Sequence, residues 1–207
     1  RMFSKVKSAY DAAKKNVDAA LAKFHGKDDE FSDGDANRYG RDVGLCAVVL
    51  RDPGATDEDK VTAIMTMGHL AFTGGDCSKA VLEYVSKIVF VLNEANSSTR
   101  LRIACLSALG EFCISYSDDT LLNELRKLGL IQSLINMASG TGEPNLQRWA
   151  CYTLRLMVSD DPTTLNIASD VLNVDLKLRR ARALDWSDWN DNEANVILNI
   201  LGFGDDV

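Results

Sequence analysis

Proline and aromatic residues are scarce in this chain. Three prolines and 7% aromatic residues exclude a Pro-rich, extended polypeptide, and long alternating patterns of the strand type are missing, which argues against a β-rich fold. No window of 18 consecutive apolar residues occurs, so no transmembrane helix is expected. The basic start has no continuous hydrophobic region, so a signal peptide is not expected either. Histidine is limited to His25 and His69, and none of the five cysteines (Cys46, Cys77, Cys105, Cys113, Cys151) forms a CxxC pair, so finger-type zinc sites have no ligand set. An odd cysteine count, with three thiols on apolar helix faces, suits a reducing, cytoplasmic setting.

What is present is ordinary globular material: 46% hydrophobic and 26% charged residues, enough to bury a core. The net charge of -7 argues against a nucleic-acid binder, which needs basic surface to neutralise phosphates. That charge is unevenly spread. Residues 1–27 hold seven Lys and Arg against Asp11 and Asp18, a balance of +5, which leaves -12 for the other 180 residues. A basic arm on an acidic body is thus the first functional hint.

The arm reads as an amphipathic helix over 2–25. Phe3, Val6, Tyr10, Ala13, Val17, Ala20 and Phe24 recur at alternating spacings of three and four, a narrow seam of the coiled-coil type, with Lys14 and Lys15 among the basic residues beside it. Such a seam needs cover, either from its own body or from another protein; a membrane surface prefers a broader apolar face. Residues 26–38 are polar and rich in Gly and Asp, which divides the chain into 1–38, arm and acidic linker, and 39–207, the repeat domain. The linker acids Asp28, Asp29, Glu30, Asp33 and Asp35 lack the twelve-residue calcium-loop pattern, so a solvated loop is the simpler reading.

The rest reads as helix after helix: 39–51, then one from Thr56 or Asp57, one from Asp76 through residue 92, one from Ser97 or Ser98, one from Asp118 or Asp119 through Ala138, one opened by Pro144, one opened by Asp161-Pro162, and one over 192–203. Aligning the long apolar helices superposes Met67-Gly68-His69-Leu70, Leu109-Gly110-Glu111-Phe112, Arg155-Leu156-Met157-Val158 and Leu201-Gly202-Phe203. Positions 68, 110, 156 and 202 are then 42, 46 and 46 residues apart, and Ala104-Cys105 recurs as Ala150-Cys151. Periods of about 40–47 residues are those of armadillo and HEAT repeats. Glycine at matched places predicts close helix crossings, since it gives up about 1 kcal/mol of helix propensity.

Three blocks carry a resemblance: Gly68-His69-Leu70-Ala71-Phe72-Thr73-Gly74-Gly75, then Arg148-Trp149-Ala150-Cys151-Tyr152-Thr153-Leu154, then Asp185-Trp186-Ser187-Asp188-Trp189 closing on Ile200-Leu201-Gly202-Phe203. Over roughly 40–203 they resemble the family of armadillo-like helical domain-containing protein 2. The arm lies outside that span, and residues 117–142 depart from the family pattern. The resemblance implies an armadillo-like fold without known catalytic residues and no settled biochemical function.

Few residues suggest chemistry. Cys77 follows Gly74-Gly75-Asp76 at a helix start, where the dipole lowers a thiol pKa, but no base or orienting group is evident, and Gly74-Gly75 lacks the phosphate-loop pattern. No catalytic residue, metal or cofactor is expected. Trp149 reads as core, while Trp186 and Trp189 lie in a polar turn, where they either close the end of the stack or anchor a partner. Lys177, Arg179, Arg180 and Arg182 form a second basic cluster, either a solvated helix face or a patch for an acidic partner.

The expectation is therefore all-α: an armadillo/HEAT-like right-handed superhelix of stacked helical repeats with an N-terminal amphipathic helical arm. Its function would be non-enzymatic protein–protein interaction within a large assembly. The basic arm suits an acidic tubulin surface, hence a microtubule or axonemal (ciliary or flagellar) setting; the alternative is an adaptor binding a linear peptide in an armadillo groove. Partner contacts are expected at Phe3, Val6, Tyr10, Lys14, Lys15, Val17 and Phe24 of the arm, and at the second basic cluster and the Trp186/Trp189 turn.

Overall fold

The computed structural model describes residues 35–73, 76–115 and 119–204, the side chains of 35–42, 72, 73 and 76–78 excepted. Within them lie eleven helices and no strand: α1 Asp35–Arg51, α2 Asp57–Thr73, α3 Asp76–Leu82, α4 Val85–Asn93, α5 Thr99–Ser115, α6 Asp119–Lys127, α7 Leu130–Ala138, α8 Pro144–Val158, α9 Pro162–Ser169, α10 Val174–Arg182 and α11 Glu193–Ile200. The whole of 1–34, and with it the arm and most of the acidic linker, lies outside the described residues.

Caps set the helix starts. Thr56 and Asp59 form a reciprocal box: the Asp59 amide donates to Thr56 Oγ1 at 3.2 Å, and the Thr56 amide donates to the Asp59 carboxylate at 3.0 Å. Ser98 Oγ accepts from the Leu101 amide at 3.3 Å ahead of α5. Glu143 caps α8 and Asp161 caps α9, each followed by proline in the first turn, where its missing amide has no cost.

Two segments expected as single helices are each broken in two. The chain turns between α3 and α4 at Glu83 and Tyr84, where Tyr84 adopts φ -110° and ψ 0°. It turns again between α6 and α7, where Gly129 takes the left-handed φ of 68°. The first helix also begins at Asp35, four residues ahead of the expected Tyr39. These breaks give the first two units two short helices and one long one, α3–α4–α5 and α6–α7–α8, whereas all three helices of the last unit, α9–α10–α11, are short.

The long helices α2, α5 and α8 and the short α11 form a ladder in which α2 packs on α5, α5 on α8, and α8 on α11. The short helices make a second layer behind it, with α4 against α5, α7 against α8, and α10 against both α7 and α11. Because α5 is enclosed from several sides, it buries Leu101, Ala104, Cys105, Leu106, Ala108, Leu109 and Phe112, most of its circumference. The repeated Ala104-Cys105 and Ala150-Cys151 pairs are all buried in this shared core.

The glycine expectation holds at two of its places. A Cβ on Gly68 would lie 3.0 Å from the Ala108 Cα, and one on Gly110 would lie 3.1 Å from the Tyr152 ring, so both mark ladder crossings. Gly202 differs. It sits at φ 76° just past α11 with nothing within 4 Å of a built Cβ, and Phe203 N donates back to Leu198 O at 2.8 Å. That is a helix-ending glycine, not a crossing one.

Candidate protein-interaction surface

The end of the ladder carries the most distinctive surface. The chain leaves α10 through Ala183-Leu184-Asp185, and Trp186 turns inward, only 9% exposed, with its indole Nε1 donating to Ala181 O at 3.1 Å. Asn192 Nδ2 donates to Arg182 O at 2.9 Å, and Asn192 Oδ1 accepts from the Asn195 amide, so one side chain ties the turn to α10 and starts α11. The Trp189 amide donates to Trp186 O at 2.9 Å. These bonds bring Trp189 back over α8.

There it meets Trp149 and Tyr152, which share one face of α8. Ring centroids are 5.4 Å apart for Trp149 and Trp189, 5.6 Å for Trp149 and Tyr152, 6.1 Å for Tyr152 and Trp189, and 5.7 Å for Trp186 and Trp189. Edge-to-face geometry prevails, the arrangement that aromatic quadrupoles favour. Trp186 is the buried foot of the cluster, whereas Trp149, Tyr152 and Trp189 are half-buried and reach the surface.

Charged groups frame the rings. The Arg155 guanidinium lies 5.4 Å from the centre of the Tyr152 ring and also pairs with Glu193, which is 5% exposed. Burial pushes Glu193 up, Arg155 opposes that, and Asp191 adds to the rise. Burial likewise raises the Tyr152 phenol, with Arg155 working against it and Glu193 and Glu111 with it. The Arg148 Nε is buried without a hydrogen-bond partner, although its charge acts on Asp185. Glu111 of α5 sits beside the cluster, and burial pushes its carboxyl up to about 7.

Of the residues expected at a partner surface, the arm positions Phe3, Val6, Tyr10, Lys14, Lys15, Val17 and Phe24 lie outside the described residues. Lys177 Nζ donates to Asn136 Oδ1 at 3.0 Å and Arg179 donates to Phe203 O at 3.0 Å, so these two tie α10 to its neighbours; Arg180 is exposed and Arg182 half-buried. Trp149, read as core, is half-buried in the cluster, and Tyr152, Glu111, Arg155 and Glu193 were not among the residues expected at a partner surface. Glu111 offered one signal, the single carboxylate of α5, set between Gly110 and Phe112.

Among the described residues, no group of three or more His, Cys, Asp or Glu could hold a metal ion. Burial raises the thiols of Cys105 and Cys113 to about 12 and that of Cys151 further, the opposite of what a nucleophile needs. The Cys77 side chain lies outside the described residues. No described helix is long and apolar enough to cross a membrane.

A ladder of stacked helices backed by pairs of short ones makes this an armadillo-like helical protein. The chain belongs to the family of Armadillo-like helical domain-containing protein 2, whose model matches residues 1–205. The match takes in the basic arm, which sequence reading had set outside the family. Neither the curated proteins nor the solved structures compared give a match.

Proposed function

We propose that this chain is a non-enzymatic protein-interaction scaffold that holds an extended segment of another protein against the ladder, with the Trp149–Tyr152–Trp189 cluster as the anchor. The observation that carries this reading is the cluster itself: three large rings, rigidly packed on one another and still reaching solvent. Tryptophan and tyrosine concentrate binding energy because they present much apolar area at little entropic cost. Burying Trp186 below them closes the last repeat, which leaves the outer rings for a partner. The test is Trp189→Leu, which keeps an apolar side chain but removes the ring. Co-purification of native partners is expected to be lost in that variant and retained in Leu172→Ser, a change at an exposed residue between α9 and α10. Full retention in Trp189→Leu contradicts the reading.

A finer reading places the scaffold, as a right-handed superhelix with a helical arm, in a cytoplasmic microtubule or axonemal assembly. Charge supports it: the +5 balance of residues 1–27 suits the acidic surface of tubulin, with the acidic body facing away. Sedimentation with microtubules that weakens as salt rises is the expected result, and no binding at low salt rejects it.

A further inference from the structure

Among the described residues, the carboxylate of Glu111 on the ladder helix α5 has no counter-charge. It projects from α5 into the space that the missing side chain of Gly68 opens on α2, with its Oε2 2.7 Å from where a Cβ would stand there. On the other side Tyr152 of α8 feels its charge. No hydrogen bond or ion pair joins the Glu111 carboxylate to another described residue, unlike Glu193, which Arg155 satisfies, and Asp161, which Arg126 satisfies. Burial without compensation is what raises it to about 7.

We propose that Glu111, with the adjoining aromatic cluster, receives an arginine or lysine side chain presented by an extended segment of a partner protein. This rests on the docking reading above and adds to it the chemistry of the residue that is read. Three features select a cation. A desolvated carboxylate recovers its ionised form when a cation arrives, and the resulting charge-assisted hydrogen bond is among the stronger ones available at a surface. The rings beside it accept guanidinium chemistry, since Arg155 already stacks on Tyr152 at 5.4 Å, and Trp149 and Trp189 reach solvent next to it. Local charge is also negative: Asp185, Asp188 and Asp191 are exposed around the turn, and with Glu111 and Glu193 they outnumber Arg148, Arg155 and Arg182. An acidic segment would meet net repulsion here, and a purely apolar one would leave Glu111 buried deeper and unpaired.

The experiment selects a phage-displayed library of random heptapeptides on the full chain and measures the enriched peptides by fluorescence anisotropy. Arg or Lys at one fixed position is expected. Affinity should fall about tenfold in Glu111→Gln, the size of one charge-assisted bond. Thermal unfolding should show that variant folded. Trp189→Leu should also weaken the same peptides. Enriched peptides without a basic residue, or unchanged affinity in Glu111→Gln, overturn the cation assignment while the docking reading stands. No enrichment at all removes the docking surface and both readings with it. Displacement of the selected peptides by a synthetic peptide of residues 1–27 would assign the cation to this chain's own arm and overturn the assignment to a partner.

Discussion

Gly68 on α2 approaches Ala108 on α5 so closely that a Cβ at position 68 would stand 3.0 Å from the Ala108 Cα and 3.1 Å from its Cβ. Backbone cannot yield as a flexible side-chain end can. Gly68→Ala therefore gains helix propensity but forces the ladder apart, with an expected net loss of about 1–3 kcal/mol. Gly44, within α1, is the control, because nothing lies within 4 Å of its built Cβ. Gly44→Ala should stabilise by about 0.5–1 kcal/mol. Urea unfolding followed by circular dichroism measures both, and equal effects would mean that the crossing is not tight.

Arg126 of α6 and Asp161 ahead of α9 form a largely buried ion pair, with side chains 11% and 12% exposed. Asp161 also accepts from the Thr163 and Thr164 amides. Burial works upward on its carboxyl, but the Thr164 and Thr163 hydrogen bonds and the Arg126 charge outweigh it and hold it below the usual range. A depressed carboxyl pKa contributes stability above the unfolded value that is lost as pH falls through the folded one. Arg126→Ala should cost about 2–4 kcal/mol at pH 7, since it strands a buried carboxylate. That deficit should narrow below pH 4; a pH-independent difference in unfolding free energy contradicts the pairing.

Thr153 links two repeats. Its fully buried hydroxyl lies 3.0 Å from Leu106 O of α5 and 3.0 Å from Trp149 O of its own helix. Thr153→Val keeps the shape but removes the donor, so a loss of about 1–2 kcal/mol is expected. Hydrogen exchange should show the added opening in both α5 and α8. Exchange that rises in α8 alone would mean that the bond does not couple the repeats.

Glu111 gives the stability curve a particular sign. Its carboxyl is held at about 7 in the fold against 4.5 for the ordinary group, so the folded chain binds the extra proton between these values. Stability should then fall as pH rises from 4.5 to 7 and level off above. Glu111→Gln removes that slope and should be the more stable chain at pH 8, by roughly 1–2 kcal/mol once partial exposure is allowed for. The two chains should match near pH 4. Parallel curves across the range would contradict the buried, uncompensated carboxylate.

Much of the architecture was legible in the chain because it depends on local pattern. The spacing that aligns Gly68 with Gly110, and Ala104-Cys105 with Ala150-Cys151, located the ladder; Thr56 or Asp57, Ser97 or Ser98, and Pro144 marked starts of its helices, and Asp161 that of α9. The breaks at Tyr84 and Gly129 were missed, since an unbroken apolar run masks a turn that only packing between layers enforces. Gly202 was misread because a glycine that ends a helix and one that lets helices touch look alike in sequence. The interaction surface was legible in part. Trp186 and Trp189 stood out in their polar turn, but the contact of Trp189 with Trp149 and Tyr152 joins segments far apart in the chain, and the isolation of Glu111 depends on what three helices fail to place beside it.

The most direct test of the docking surface is site-specific photo-crosslinking in the native assembly, with benzoylphenylalanine replacing Tyr152 or Trp189 in the cluster, and Gln132 of α7 or Asn166 of α9, both exposed in the other layer. Crosslinks to a second protein from positions 152 and 189, and none from 132 and 166, are predicted. Crosslinks from 132 or 166 with none from the cluster would contradict it.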